Sequence, residues 1–76
     1  MVYPANLIDD GGRVLVTFDD VPEAITFGKN RSDALCHAKD ALDTALTFYI
    51  ERGKPIPLPS KPRSDQVLVP STIGSI

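Results

Sequence analysis

Two segments near the start of the chain alternate between apolar and polar residues, and this alternation predicts β-strands. They run from Tyr3 to Ile8 and from Arg13 to Phe18, with the two-residue period of an extended chain that buries one face. Asp9-Asp10-Gly11-Gly12 lies between them, and its glycines can adopt the positive φ that a tight turn requires. The sequence therefore predicts an antiparallel hairpin whose aspartates belong to the turn.

The same alternation predicts which side of the hairpin faces the core. One face of the second strand and the matching face of the first carry the core candidates Val14, Val16, Phe18, Tyr3, Ala5 and Leu7. The opposite face of the second strand carries Arg13, Leu15 and Thr17. Pro22, which lacks an amide proton, ends this region, and a short third strand is predicted from Ala24 to Phe27.

From Arg31 to Arg52 the apolar residues recur at steps of three and four, which predicts an amphipathic helix about 33 Å long. The recurring positions are Ala34, Leu35, Ala38, Leu42, Ala45, Leu46 and Tyr49. Asn30 is a suitable N-cap with Asp33 in the first turn, and Gly53 follows the last turn. The simplest arrangement places this helix across the sheet.

A proline-rich connector, Lys54 to Pro62, follows the helix and leads to a fourth predicted strand from Gln66 to Val69. Because this strand returns after a helix, we expect it to pair in parallel through a right-handed crossover. The predicted fold is α+β, with element order β-β-β-α-β: a three-stranded antiparallel sheet, one helix packed on it, and a fourth strand added in parallel.

Composition restricts the function more than it defines it. The chain has 76 residues, 42% of them apolar, which suits one thin domain and leaves little room for a catalytic cleft. Its formal charge is −2, without the basic stripe that nucleic-acid binding requires. Five of its acidic residues, against two basic ones, lie within residues 1–30. No apolar run approaches the roughly 20 residues of a membrane span, and the single cysteine suits a reducing cytoplasm.

Candidate chemistry is sparse. Cys36 and His37 are neighbours, so they point about 100° apart around a helix and cannot act as nucleophile and base. One histidine and one cysteine supply no metal-ligand spacing, and we expect no metal and no cofactor. The clustered aspartates would suit a two-metal nuclease only on rigid neighbouring strands. We favour the interpretation that these aspartates are solvated turn residues. A further interpretation is that they form an acidic patch that binds a basic protein partner.

Five segments stand out together by their order and spacing. They are MVYP at residues 1–4, the Gly11-Gly12 hairpin, VTFDDVPEAITFG at 16–28, ALCHAKDAL at 34–42 and PIPLPS at 55–60. In this arrangement they resemble the N-terminal domain of HicB-type antitoxins, the inhibitory half of bacterial HicA–HicB toxin–antitoxin pairs. The resemblance covers Met1 to about Pro70.

The resemblance implies a partial RNase H-like fold and a non-enzymatic function. Residues 1–70 would bind a small basic RNA-cleaving toxin of the HicA type and cover its catalytic surface. Residues 71–76 would begin a linker to a C-terminal helix-turn-helix domain absent from this chain, through which alone the protein would bind operator DNA and repress its own operon. The alternative is a degenerate or metal-dependent RNase H-like nuclease, with Asp9 as the nearest candidate carboxylate.

Two surfaces are predicted to bind proteins. We expect the toxin to contact the acidic loops and exposed helix positions, namely Asp9, Asp10, Asp19, Asp20, Glu23, Lys39, Asp40 and Asp43. The last strand could also pair with a second copy of the chain to form a homodimer. The residues of that predicted contact are Gln66, Val67, Leu68 and Val69.

Overall fold

A computed structural model describes residues 1–73 of the chain, in which four strands and one helix follow the predicted order. The elements are β1 (Val2–Asp10), β2 (Arg13–Thr17), β3 (Thr26–Gly28), α1 (Arg31–Glu51) and β4 (Val67–Pro70). The strands form one sheet in the order β3-β2-β1-β4, and every neighbouring pair is antiparallel.

The hairpin between β1 and β2 is tighter than the sequence predicted. Gly11 and Gly12 have φ values of 58° and 89°, the paired positive angles of a two-residue turn that matches the twist of the strands. Asp9 and Asp10 therefore lie in β1, opposite Val14 and Arg13. Their predicted place in the turn was wrong, because two glycines are sufficient to reverse the chain.

The predicted caps of α1 are confirmed. The Asn30 side chain accepts a hydrogen bond from the backbone N–H of Asp33 at 2.9 Å. At the other end Gly53, with a φ of 67°, donates its N–H to Ile50 O, and Lys54 donates its N–H to Tyr49 O at 2.8 Å. These two bonds are the Schellman arrangement, which satisfies carbonyls that the helix itself leaves unpaired.

The core lies between α1 and one face of the sheet. It includes the predicted strand residues Tyr3, Ala5, Val16 and Phe18 and the predicted helix residues Ala34, Ala38, Leu42, Ala45 and Leu46, together with Val21, Ala24 and Val69. β3 begins two residues later than predicted, because Ala24 is in a turn that its N–H closes on Val21 O. Gly28 in β3 lies directly against the first turn of α1.

The direction of β4 is the main correction to the predicted fold. β4 pairs antiparallel with β1, with Tyr3 opposite Val69 and Ala5 opposite Val67, and makes no parallel crossover. The cause is the connector, which has 13 residues from Lys54 to Gln66. At about 3 Å per residue an extended proline-rich chain of this length spans about 40 Å. That is enough for it to pass Tyr3, Asp20 and Asp19, to which it is hydrogen-bonded, and to enter β4 from the opposite direction.

The segment after β4 lies against the start of the chain. Ser71 is buried and donates its backbone N–H to Met1 O at 2.8 Å, and Ile73 packs on the core. The domain boundary predicted at residue 70 stays a prediction, and the rest of the predicted linker, residues 74–76, lies outside the described residues. Within residues 1–73, no helix combines the length and apolar character needed to cross a membrane.

Candidate protein-binding surfaces

The predicted toxin-binding residues fall into two groups that differ in what their side chains contact. Asp9 and Asp10 are exposed at the hairpin end of β1, where Asp10 pairs with Arg13 at 3.5 Å. Asp40 is exposed on α1. Charges at such positions are available to a partner, because solvent exposure leaves them only weakly engaged.

Asp19 belongs to a network that holds the end of the connector to the sheet. Its carboxylate accepts hydrogen bonds from Asn6 at 2.9 Å, from Arg63 at 3.1 Å and from Gln66 at 3.3 Å. Arg63 and Gln66 also donate to the Asn6 side-chain oxygen, each at 3.0 Å. The hydrogen bond from Asn6, followed by those from Arg63, lowers the pKa of Asp19.

Asp20 fastens the middle of the connector. Its Oδ2 accepts from both the backbone N–H and the hydroxyl of Ser60, at 2.9 and 3.0 Å. Closer to the helix, the buried Tyr3 donates its hydroxyl to Pro57 O at 2.6 Å. The connector is therefore held to the domain at successive points, and the two aspartates that the sequence indicated as an acidic patch face their own chain.

Glu23 and Tyr49 join the loop before β3 to the helix. The Tyr49 hydroxyl donates to Glu23 at 2.8 Å. This hydrogen bond lowers the pKa of Glu23 and raises that of Tyr49, since it favours the ionised carboxylate and the neutral phenol together.

Asp43 accepts hydrogen bonds from the segment that follows β4. It accepts from the Ser71 hydroxyl at 2.7 Å, from the Thr72 backbone N–H at 3.2 Å and from the Thr72 hydroxyl at 3.1 Å, while Lys39 Nζ lies at 3.4 Å. Burial acts to raise the pKa of Asp43, but the hydrogen bonds from Ser71 and Thr72 outweigh it and the pKa is lowered. Whether Lys39, Asp43 and the other internally bonded residues touch a toxin stays a prediction.

One apolar surface did not figure among the predicted sites. On the sheet face opposite α1, Ile8, Leu15 and Phe27 stand side by side across β1, β2 and β3. Ile8 and Phe27 are 45% and 51% exposed, and the Arg13 guanidinium lies 4.4 Å from the centre of the Phe27 ring. We call these three residues the open-face row. In the sequence, the one indication of this row was Leu15, an apolar residue on the strand face that otherwise carries Arg13 and Thr17.

A second surface feature is a groove of about 670 Å³ between α1 and the segment Glu23–Thr26. Asp40 lies at this groove, together with Ile25 and Phe48, two exposed apolar side chains. The sequence pattern could not predict it, because it depends on how the loop before β3 lies beside the helix. We call it the helix groove.

The predicted self-association strand lies at an edge of the sheet, next to β1 only. Leu68 is half-exposed there, Val69 is in the core, and Gln66 is part of the Asp19 network. An edge strand is open to pairing with another strand, but the predicted homodimer through Gln66, Val67, Leu68 and Val69 stays a prediction.

The part of the chain that the structure describes contains no group of side chains arranged as a metal-dependent catalytic site. No three His, Cys, Asp or Glu side chains within residues 1–73 lie together as metal ligands. Cys36 is exposed, and His37 Nδ1 lies 3.0 Å from Phe27 O at the outer edge of β3. Asp9, the carboxylate named for the nuclease alternative, lies exposed at a strand end, so no observation favours that alternative.

Comparison with known proteins relates this fold to one family. A family model described as the HicB_like antitoxin of bacterial toxin–antitoxin systems matches residues 2–73. Antitoxin HicB 1 of Photorhabdus laumondii is 46% identical over 99% of the chain and 49% of its own length. Antitoxin HicB of Escherichia coli K12 is 43% identical over 99% of the chain and 56% of its own length.

A solved structure agrees with these relatives. The N-terminal domain of the Burkholderia pseudomallei antitoxin HicB superposes with a TM-score of 0.69 and 27% identity, covering 80% of this chain and 74% of that one. The chain spans about half the length of the curated relatives it matches. These relatives bear the name of an antitoxin and not that of an enzyme. It belongs to the HicB-like antitoxin family of bacterial toxin–antitoxin systems.

Proposed function

We propose that this domain inhibits a small basic RNA-cleaving toxin of the HicA type by binding it and covering its catalytic surface. The observation that carries the choice of surface is the open-face row, Ile8, Leu15 and Phe27. A row of exposed apolar side chains on a sheet face is typical of surfaces that bind another protein. Family membership supplies the antitoxin function, and the row supplies a place for the toxin.

The charges at the hairpin end of the row are those of Asp9, Asp10 and Arg13, which pairs with Asp10, and their sum of −1 suits a basic partner. Asp9 and Asp10 are exposed at the end of β1, two positions or fewer beyond Ile8. Carboxylates at the rim of an apolar surface attract a basic partner during encounter, while burial of the apolar centre supplies most of the affinity. The toxin would thus contact Asp9 and Asp10 of the predicted acidic residues, with the internally bonded ones holding the domain together.

The first experiment is to co-express the chain with the small basic protein encoded beside it and to measure the dissociation constant of the purified pair. Phe27→Ser removes an exposed ring from the row, and we expect binding to weaken about tenfold or more. Ile50→Ser is the matched control, because Ile50 is 53% exposed but lies on α1. Failure of the two unaltered proteins to associate would overturn the proposed function. Equal affinity for Phe27→Ser and the unaltered chain would overturn only the choice of surface.

The second experiment isolates the acidic rim. Replacing Asp9 and Asp10 by asparagine keeps their size and removes two negative charges. We expect a slower association rate and a smaller dependence of that rate on salt, with little change in dissociation, because rim charges act mainly on encounter. An unchanged salt dependence would show that these two carboxylates do not guide the toxin.

We further propose that operator binding, and with it autorepression, is carried outside residues 1–73. The chain has a net charge of −2, whereas DNA binding depends on lysines and arginines that neutralise phosphates. The curated relatives are about twice as long as the matched region, which leaves room for such a domain in them. The test is a gel-shift assay with operator DNA, in which this chain alone is expected not to bind. Specific binding by the chain alone would overturn this part of the proposal.

A further inference from the structure

The helix groove exposes apolar surface on the flank of α1 that the sheet does not cover. Its apolar and uncharged lining consists of Ile25, Thr26, Ala41, Thr44, Ala45 and Phe48. Ile25 is 60% exposed and Phe48 is 53% exposed. Large side chains border the groove while small ones line its middle, so another helix could approach closely there.

The two ends of the groove differ in charge. Asp40 and His37 lie at the end nearer the start of α1, where the Asp40 carboxylate contributes −1. Arg52 and Lys54 with Glu23 lie at the other end, which carries +1. Asp40 and Arg52 are 12 residues apart, about 18 Å along a helix axis. A uniformly basic partner would meet repulsion at one end of such a groove.

We propose that the helix groove binds α1 of a second copy of this chain, with the two helices antiparallel about a two-fold axis near Thr44. A two-fold interface uses the same patch on both copies, so the patch must be self-complementary. An antiparallel arrangement meets this requirement, because it brings the −1 end of each groove to the +1 end of the other.

The same axis also brings complementary shapes together. A two-fold axis between positions 44 and 45 places Phe48 of each copy opposite Ala41 of the other, where the small side chain leaves space for the ring. The Arg52 guanidinium lies 5.9 Å from the centre of the Phe48 ring, so the basic and apolar parts of the contact adjoin. The open-face row is on the opposite side of the sheet from α1, and the dimer therefore neither depends on toxin binding nor blocks the surface proposed for it.

The first test uses the chain alone in sedimentation equilibrium. We expect a dimer whose dissociation constant weakens about tenfold or more with Phe48→Glu. Ile50→Glu is the matched control, because Ile50 is also 53% exposed on α1 but does not line the groove, and it should leave the constant unchanged. A chain that stays monomeric at millimolar concentration overturns the proposal. So does a dimer that survives Phe48→Glu and is lost with Leu68→Glu, which would place the contact on β4.

The second test is a charge exchange between the two ends. Asp40→Lys and Arg52→Glu should each weaken the dimer about tenfold, because an exposed ion pair contributes about threefold and the two-fold axis makes each pair occur twice. The double variant should recover most of the loss, since it restores opposite charges across the axis. If the dimer of the double variant is weakened by the product of the two single effects, the antiparallel arrangement is overturned.

The third test uses crosslinking to determine whether Thr44 lies near the two-fold axis. In a Cys36→Ser background, Thr44→Cys places a thiol near the axis, and mild oxidation should crosslink two copies. Thr47→Cys is the matched control, because Thr47 is exposed on α1 outside the groove, and it should crosslink much more slowly. Equal crosslinking by the two variants would overturn the proposal.

Discussion

Gly28 and Ala34 lie in such close contact that no side chain fits between them. A Cβ atom built on Gly28 would stand 2.6 Å from Ala34 Cα and 2.8 Å from the Asp33 carbonyl carbon. The atoms in the way are backbone, so a rotamer change cannot relieve the contact. This approach brings β3 against the first turn of α1 and thereby sets one end of the helix on the sheet.

Gly28→Ala is therefore expected to destabilise the domain by about 1–3 kcal/mol, the usual cost of overpacking a tight contact. Urea unfolding followed by circular dichroism measures the change. Gly11→Asn is the control, since Gly11 has open space around it and asparagine is accepted in this kind of turn. Equal stability of Gly28→Ala and the unaltered chain would show that the helix shifts at no cost.

The lowered pKa of Asp43 makes the stability of the domain depend on pH in the acid range. Its pKa is lowered from 3.8 in the folded state, so its stabilising effect is complete above the unfolded value and is lost as the pH falls through the folded value. Asp43→Asn should cost about 1–2 kcal/mol at pH 7, because an amide accepts fewer of the bonds from Ser71 and Thr72.

The difference between this variant and the unaltered chain should shrink as the pH falls below 4. Thermal unfolding at a series of pH values would show it, with Asp9→Asn at the exposed hairpin end as the matched control. A difference that stays constant from pH 7 to pH 3 would contradict the role assigned to the Asp43 carboxylate.

Tyr3 links the core to the connector. Tyr3→Phe keeps the buried ring but leaves Pro57 O without its 2.6 Å donor, and we expect a loss of about 1–3 kcal/mol. Cleavage of the connector by a protease should become faster by more than the global stability predicts, because the bond fastens that segment locally. A connector as resistant as before would mean that the other contacts hold it without Tyr3.

Arg63 bridges Asn6 and Asp19 with the two ends of its guanidinium. Arg63→Ala should speed hydrogen exchange at the connector while leaving the unfolding midpoint nearly unchanged, because the side chain is exposed. Arg63→Lys should recover only part of the protection, since an ammonium group lacks the planar fork that reaches both partners. Full recovery by lysine would show that charge alone is sufficient.

The features that sequence analysis predicted are those that depend on neighbours in the chain. Asn30 and Gly53 marked the ends of α1 because capping uses residues within a few positions. Gly11 and Gly12 marked the hairpin for the same reason. The direction of β4 could not be predicted in this way, since it depends on the bonds that the connector makes to distant residues such as Tyr3 and Asp20 before it reaches Val67.

The predicted acidic surface shows the same difference between contacts that are local in the chain and contacts that are distant. Asp19 and Asp20 read as solvated turn residues because their partners, Arg63 and Ser60, are 44 and 40 residues away. Charge counting along the chain cannot detect such pairs. Leu15 was placed correctly on the second face of its strand, but its neighbours Ile8 and Phe27 became apparent only once the three strands were in register.

The contact between Ser71 and Met1 makes the domain suitable for circular permutation. Because β1 and β4 are antiparallel neighbours whose outer ends meet there, a short glycine-rich linker could join residue 73 to Met1 as one more hairpin. The new ends could be opened at exposed Lys61, in the connector. Such a permuted chain would keep every strand pair of the sheet while releasing the connector from its role as a covalent link between α1 and β4.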